Sequence, residues 1–174
     1  LYERFESATL LLIDPLDETN KFISAELTNR KVIYHQCGVG KEPREVTIKV
    51  EEEIGRSSIL DVTKINYEGD PVDERKIAVY TLDSIVGSEN NLGRLGIKID
   101  TEGFELEVIQ GAGETLKAAE FVLAEVRHNH ESFKGLYKLH EFVSEMHKNN
   151  FVLSMIVTAK PFIADLVVQP VKNL

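Results

Sequence analysis

Hydrophobic and polar positions follow two periods along the chain, one typical of strands and one typical of helices. Short apolar runs, or alternation of apolar and polar residues, predict strands at 9–15, 31–40, 44–52, 96–100, 119–127, 151–157 and 164–170. Residues 76–86 run from a strand into a short helix capped by Thr81 or Asp83, and residues 55–75 are irregular. Strands that alternate with helices and end in an antiparallel pair indicate an open α/β sheet.

Apolar residues at helical spacing predict helices over 17–29, 102–110 and 136–150. In the first of these helices, Asp17 or Thr19 can act as the N-terminal cap. Phe22, Ile23 and Leu27 form its apolar stripe, so we expect these side chains to face the core.

The segment 96–112, GIKIDTEGFELEVIQGA, joins a strand to a helix through an acidic turn. Asp100 or Thr101 can cap the first turn of the helix predicted over 102–110, and Glu102 lies where the helix dipole favours an anion. Two interpretations of the acids are open. They form a satisfied helix start, or they line a ligand site, because open α/β sheets bind ligands at the carboxyl ends of their strands.

Composition limits the classes of function. The chain has 174 residues, of which 43% are hydrophobic, so it can bury one ordinary core and we expect a single domain over 1–174. Its net charge of −9 argues against general binding to nucleic acid or to an anionic membrane. No run approaches the roughly 20 apolar residues that span a bilayer. The one cysteine, Cys37, excludes an internal disulfide and favours a cytoplasmic location.

Three segments together resemble the FkbM family of S-adenosylmethionine-dependent methyltransferases. IKIDTEGFELEVIQGA (97–112) is similar to that family's K-I-D-x-E-G-x-E-x-x-V/L-x-G-A pattern. VYTLDSIV (79–86) resembles its V-x-T-L-D-x-L segment. LLLIDP (10–15) resembles a strand ending in an acid and a proline, with aspartate where the family more often has glutamate. GRSSIL (55–60) and DLVVQP (165–170) are weaker matches, and the resemblance spans nearly the whole chain.

The resemblance implies a Rossmann-like methyltransferase sheet, mostly parallel with an antiparallel C-terminal strand. It also implies transfer of a methyl group from S-adenosylmethionine to a hydroxyl oxygen of a small molecule or sugar. The family's cofactor loop, an Asp-x-Gly-Ala-Asn-x-Gly type of turn, is absent ahead of the LLLIDP strand, and with it the N-terminal central strand. We therefore expect this chain to be the C-terminal part of a longer one. The alternatives are a catalytically silent Rossmann-like domain used for binding or assembly, and a nucleotide-binding protein that does not methylate.

By this resemblance, five residues are candidates for binding the cofactor. Asp14 ends a strand at the place where an acid accepts hydrogen bonds from ribose hydroxyls, although it can instead cap the turn that follows. Gly38 and Gly40 lie near the expected adenine, and an ordinary turn explains them equally well. Ser58 can touch the cofactor or form an ST-turn. Asp100 is expected beneath the methyl donor.

The candidate catalytic residues are Asp100, Glu102 and His128. By the resemblance the two carboxylates line the pocket, where a carboxylate can orient a substrate hydroxyl, hold a metal or accept a proton. His128 follows a strand at its carboxyl edge and can act as a base near neutral pH, or it is an exposed loop histidine, like His130. No residue is assigned as a metal ligand. We expect a small neutral or cationic acceptor, and the sequence indicates no oligomeric state.

The helix predicted from the acidic segment also contains two further acids. Glu105 and Glu107 are expected to be solvated residues on its outer face.

Overall fold

The computed structural model describes residues 7–63, 71–89, 92–128, 133–160 and 162–171. In these ranges the strands are β1 (Leu10–Ile13), β2 (Val32–His35), β3 (Gly38–Val39), β4 (Arg44–Val50), β5 (Asp73–Tyr80), β6 (Leu95–Ile99), β7 (Ala119–Arg127), β8 (Phe151–Ala159) and β9 (Ile163–Pro170). The helices are α1 (Glu18–Glu26), α2 (Leu82–Ser88), α3 (Glu105–Gln110), α4 (Gly113–Ala118) and α5 (Leu139–Lys148), with a 3₁₀ turn at Ile54–Arg56. The segment predicted as irregular falls partly outside the described residues, and His130 falls wholly outside them.

The described strands form three sheets. In the first sheet β1 and β2 are parallel, and in the second β5 lies between parallel β3 and antiparallel β4. The third sheet has the order β6-β7-β9-β8, in which β6 and β7 are parallel and β9 runs antiparallel to both of its neighbours. The fold is therefore mixed α/β, with antiparallel pairs as numerous as parallel ones among the described strands. The antiparallel C-terminal pair agrees with the sequence pattern, whereas these pairings do not confirm one Rossmann-like sheet.

The strand predictions are most accurate where one face of a strand is buried. β7 has the predicted bounds, and its alternate residues Val122, Ala124 and Val126 have no exposed surface. In β4 the alternate apolar residues Ile48 and Val50 are buried. Both strands follow the pattern because burial of one face enforces a period of two residues.

The segment 31–40 was predicted as one strand, and it forms two. The backbone N–H of Cys37 donates to the carbonyl oxygen of His35 at 3.1 Å, which turns the chain between β2 and β3. β2 then pairs with β1, whereas β3 pairs with β5. The two halves of the apolar run therefore belong to different sheets.

Helix α1 is shorter and less buried than predicted. None of its residues is buried, and Phe22, which was expected to face the core, is 45% exposed, whereas Leu27 at the C-cap position is buried as predicted. Asp17 occupies the N-cap position without a side-chain capping bond. Helix α2 does have its predicted cap, since Thr81 Oγ1 accepts from the N–H of Ser84 at 3.1 Å. Among the helices of the described ranges, none has the length and apolarity needed to cross a membrane.

Two apolar clusters form the core. The larger one joins α3, α4 and α5 to the third sheet, and its most buried large side chains include Phe133, Phe142 and Met146. The smaller one is formed by side chains of the neighbouring strands β4 and β5 together with Leu16. Ile13 at the end of β1 packs against the larger cluster, which links the first sheet to the same core.

Candidate functional site

The acidic segment after β6 forms a turn before the helix begins. Glu102 has φ of 50° and Gly103 has φ of 101°, and these left-handed conformations are incompatible with a right-handed helix. Helix α3 consequently begins at Glu105, with Phe104 at its N-cap position and no side-chain cap. The prediction of a helix from residue 102, capped by Asp100 or Thr101, is therefore wrong. Glu102 belongs to the turn and not to the first turn of the helix.

Glu105 is buried, which contradicts its prediction as a solvated residue. It is 1% exposed, and its Oε1 accepts from the N–H of Thr101 at 3.1 Å, the hydroxyl of Thr101 at 3.1 Å and the N–H of Gly103 at 3.0 Å. Its Oε2 accepts from the hydroxyl of Tyr137 at 2.7 Å. Burial raises the pKa of Glu105, while these hydrogen bonds act in the opposite direction.

A sequence signal for the burial of Glu105 did exist. It precedes Val108 by three residues and Ile109 by four, and both of these side chains are buried in the core. The three side chains therefore share one face of the helix. Glu107 does lie partly exposed, and its carboxylate accepts from Arg44 at 2.6 Å.

Three carboxylates meet at the carboxyl edge of β6 and β7. In the parallel register Ile99 pairs with Ala124, and the next residues on the two strands are Asp100 and Glu125. Together with Glu102 they offer oxygen atoms that all lie within 4.8 Å of one another. The structure thus brings the two predicted acids together and adds Glu125, which was not among the predicted site residues.

Two cations partly compensate the charge of this acidic cluster, defined as Asp100, Glu102 and Glu125. Lys98 donates to Asp100, and Arg127 donates to Glu102. Burial raises the pKa of Glu125, and the negative charges of Asp100 and Asp165 raise it further. Such a cluster can orient a hydroxyl, accept its proton or hold a cation.

Ser58 lies against the acidic turn. It is 3% exposed, and its hydroxyl donates to the carbonyl oxygen of Glu102 at 2.8 Å. The hydroxyl oxygen of Ser58 also accepts from the N–H of Leu60 at 3.1 Å, which is the ST-turn considered as the alternative. Ser58 therefore holds the backbone of the site, and its predicted contact with a cofactor stays a prediction.

Asp14 lies at the carboxyl end of β1, as predicted. Its Oδ1 accepts from the N–H of Leu16 at 2.8 Å, so it caps the turn that follows the strand. The hydroxyl of Tyr34 donates to the carbonyl oxygens of both residues at 3.0 Å. Burial raises the pKa of Asp14. Capping uses one carboxylate oxygen, and binding of a ribose stays a prediction.

Packing explains why glycine occupies positions 38 and 40. A Cβ atom at Gly38 would lie 3.0 Å from Cγ2 of Val79, and one at Gly40 would lie 2.9 Å from Cγ1 of the same residue. The second Cβ would also lie 3.1 Å from the ring of Phe104. These contacts account for both glycines without a ligand, so their role at the adenine stays a prediction.

His128 directly follows β7, as predicted, and its role as a base stays a prediction. It is exposed and lines a cavity of about 570 Å³ together with Lys138, Leu139, His140 and Val143. Its Nε2 lies 3.0 Å from the carbonyl oxygen of Lys160. The cavity opens beside the carboxyl end of β7, where the chain leaves the sheet.

Comparison with known proteins identifies a matching family and a solved structure with a similar fold. Residues 2–153 match the model of the Methyltransferase FkbM domain. The crystal structure of Methyltransferase FkbM from Methylobacillus flagellatus KT is similar to this chain with a TM-score of 0.51 and 14% sequence identity. The match covers 92% of this chain and 36% of that chain, so this chain spans about a third of its length. No curated protein matches the sequence.

Proposed function

Because this chain belongs to the FkbM methyltransferase family, we propose that it is part of an S-adenosylmethionine-dependent enzyme that methylates a hydroxyl oxygen of a small molecule or sugar. One observation carries the proposal: the acidic cluster lies at the carboxyl ends of two parallel strands, where α/β sheets bind ligands. The buried free thiol of Cys37 suits the reducing cytoplasm proposed as its location.

The charge of the acidic cluster fits this cofactor. S-adenosylmethionine, when bound, supplies a methyl carbon on a positively charged sulfonium. The cluster has three carboxylates against two cations, so it carries net negative charge that complements a cation. Asp14 would accept hydrogen bonds from the ribose hydroxyls, and Asp100 would lie beneath the methyl donor.

The same edge of the sheet can hold and deprotonate an acceptor. Asp100 would orient the acceptor hydroxyl, and Glu125 would take its proton, because burial and nearby negative charge raise the pKa of Glu125. Glu102 is engaged by Arg127 and would orient rather than accept a proton. The cavity lined by His128 offers space for the body of a small acceptor.

The strand edges support the proposal that this chain is the C-terminal part of a Rossmann-like domain. Among the described strands, β1 pairs only with β2, and β6 pairs only with β7. Parallel strands are normally buried within a sheet, so a further strand that pairs with both β1 and β6 would cover these two open edges. We propose that upstream sequence supplies this strand and the glycine loop. The two separate sheets would then join into one.

The test is calorimetric titration of S-adenosylhomocysteine into this chain and into the same chain with its upstream reading frame. Binding to the longer form alone supports both parts of the proposal. The variant Asp14→Asn keeps an oxygen for the N–H of Leu16 but removes the charge. We expect it to weaken binding by about 1.5–3 kcal/mol, the range for hydrogen bonds to charged groups. Asp17→Asn, on the exposed start of α1, is the control and should bind as wild type does.

A catalytically silent domain is the second candidate. It is favoured by the use of Asp14 Oδ1 and the Ser58 hydroxyl in bonds within the fold. Absence of binding to both forms would establish it in place of the enzyme.

A further inference from the structure

We propose that Glu105 and Tyr137 are a pair of positioning residues that hold the acidic turn, residues 100–103, in the geometry of the site. The inference goes beyond the proposed function, and its relevance to methyl transfer rests on that function. Neither residue was predicted as part of the site. Their hydrogen bond connects the acidic turn to Tyr137, which directly precedes the cavity-lining residues Lys138 and Leu139 in the chain.

The acidic turn needs external support because its backbone is strained. Glu102 lies in the left-handed region, which residues with a Cβ atom rarely adopt. Three side chains hold the acidic turn. Glu105 accepts hydrogen bonds from the N–H groups of Thr101 and Gly103. Ser58 donates to the carbonyl oxygen of Glu102, and Arg127 donates to the carboxylate of Glu102. Glu105 contacts the backbone on both sides of Glu102. Its removal is therefore expected to release the turn.

The carboxylate of Glu105 contributes hydrogen-bond acceptors rather than apolar packing. An apolar side chain could occupy this buried position without the free-energy cost of removing a charge from water. A buried carboxylate carries that cost unless hydrogen-bond donors surround it. Four hydrogen bonds satisfy Glu105, three from the turn and one from Tyr137. This arrangement is expected if the backbone N–H groups of the turn require the oxygen atoms of Glu105 as hydrogen-bond acceptors.

Tyr137 is the second residue of the pair, and it holds Glu105 from the other side of the carboxylate. It is 8% exposed, its ring lies 6.1 Å from that of Phe142, and its hydroxyl ends at Glu105. The next two residues, Lys138 and Leu139, line the cavity. Glu105 and Tyr137 therefore connect the acidic turn to the segment of the chain that lines the cavity.

Backbone amide hydrogen exchange tests the pair on this chain directly. In Glu105→Leu we expect the exchange rates of Thr101 and Gly103 to rise about tenfold, since each loses the bond to its acceptor. Glu105→Gln keeps one oxygen for the turn and should retain most of the protection. Core amides such as Val122 should be unchanged in both variants, because a general loss of stability would raise them together.

Tyr137→Phe keeps the proposal testable even where Glu105→Leu does not fold. It removes only the hydroxyl, and we expect exchange at Thr101 and Gly103 to rise while Val122 is unchanged. The proposal is overturned if exchange at the turn stays at the wild-type rate, or if it rises only in step with the core.

Titration of S-adenosylhomocysteine into the longer form separates this proposal from the proposed function. If the wild type binds, Tyr137→Phe should bind several-fold more weakly and Glu105→Gln close to wild type. Equal binding by wild type and Tyr137→Phe would contradict a positioning role in the site. If the wild type does not bind, the proposed function fails, while hydrogen exchange still decides whether the pair holds the turn.

Discussion

Arg127 donates a hydrogen bond from Nη2 to Oε2 of Glu102, and only 11% and 12% of the two side chains are exposed. The guanidinium of Arg127 also lies 4.9 Å from the centroid of the Phe133 ring. Glu102, whose backbone is in the left-handed conformation, is thus held by the guanidinium of Arg127 on the neighbouring strand β7. This relationship determines where the carboxylate of Glu102 lies in the site.

Removal of this cation should be strongly destabilising. Arg127→Met leaves the Glu102 carboxylate buried without its partner, and we expect a loss of about 3–5 kcal/mol in the free energy of unfolding. The double variant Glu102→Gln with Arg127→Met should recover much of this loss, because no unpaired charge remains. Urea denaturation of the three proteins measures both effects.

Lys98→Met provides the control, because Lys98 and Asp100 are each 41% exposed. Its pair with Asp100 is expected to contribute less than about 1 kcal/mol. A loss in Arg127→Met no larger than that in Lys98→Met would show that the Arg127 pair behaves as an exposed one.

Gly103→Ala should destabilise the protein through the backbone of the acidic turn. Its φ of 101° disfavours a side chain, and a Cβ atom would lie 3.0 Å from Leu60 Cδ1 and 3.1 Å from Leu136 Cδ1. We expect a loss of about 1–3 kcal/mol in the free energy of unfolding. Gly87→Ala in α2, where no atom lies within 4 Å, should instead be stabilising by about 0.5–1 kcal/mol. Opposite signs in thermal denaturation confirm the prediction, and equal signs contradict it.

Gly111→Ala should be the most disruptive of the glycine substitutions. A Cβ atom there would lie 2.1 Å from the carbonyl oxygen of Gly40, and a backbone atom cannot rotate away. We expect a loss above about 4 kcal/mol, the range reserved for severe core disruption. Gly113→Ala is the matched control, because the nearest atom, Asp83 Oδ2, lies 3.9 Å from the added Cβ. Comparable stability of the two variants would refute the close contact between the backbones at positions 40 and 111.

The ion pair of Glu18 and Arg75 should make stability depend on pH. Hydrogen bonds from Arg75 at 2.9 and 3.0 Å lower the pKa of Glu18 from 4.5 to about 2. Because the folded pKa is the lower one, this stabilisation is present above about pH 4.5 and is lost as the pH falls toward 2.

Glu18→Gln measures this contribution. The pair is partly exposed, so we expect a difference from wild type of no more than about 1 kcal/mol at pH 7. The difference should shrink between about pH 4.5 and pH 2.5 in urea denaturation at each pH. A difference that stays constant over this range would mean that the ionisation of Glu18 does not stabilise the fold.

The sequence alone predicts the strands whose pattern reflects burial. The bounds of β7, the strand β4 and the antiparallel C-terminal pair were all predicted correctly, because each depends on residues close together in the chain. The family was also predicted from local motifs, and the match over residues 2–153 confirms it.

Long-range contacts determined the features that the sequence pattern did not predict. Segment 31–40 divides because its halves pair with strands distant in sequence, β1 and β5. Glu105 is buried because Tyr137, 32 residues away, and the folded turn supply its donors. Glu125 joins Asp100 because the register of β6 and β7 aligns their ends. The sequence by itself therefore determined the periodic elements and the family, since hydrophobic burial repeats locally. Only the tertiary structure decided the partners of the acidic groups, because a buried charge depends on donors that the fold brings from elsewhere in the chain.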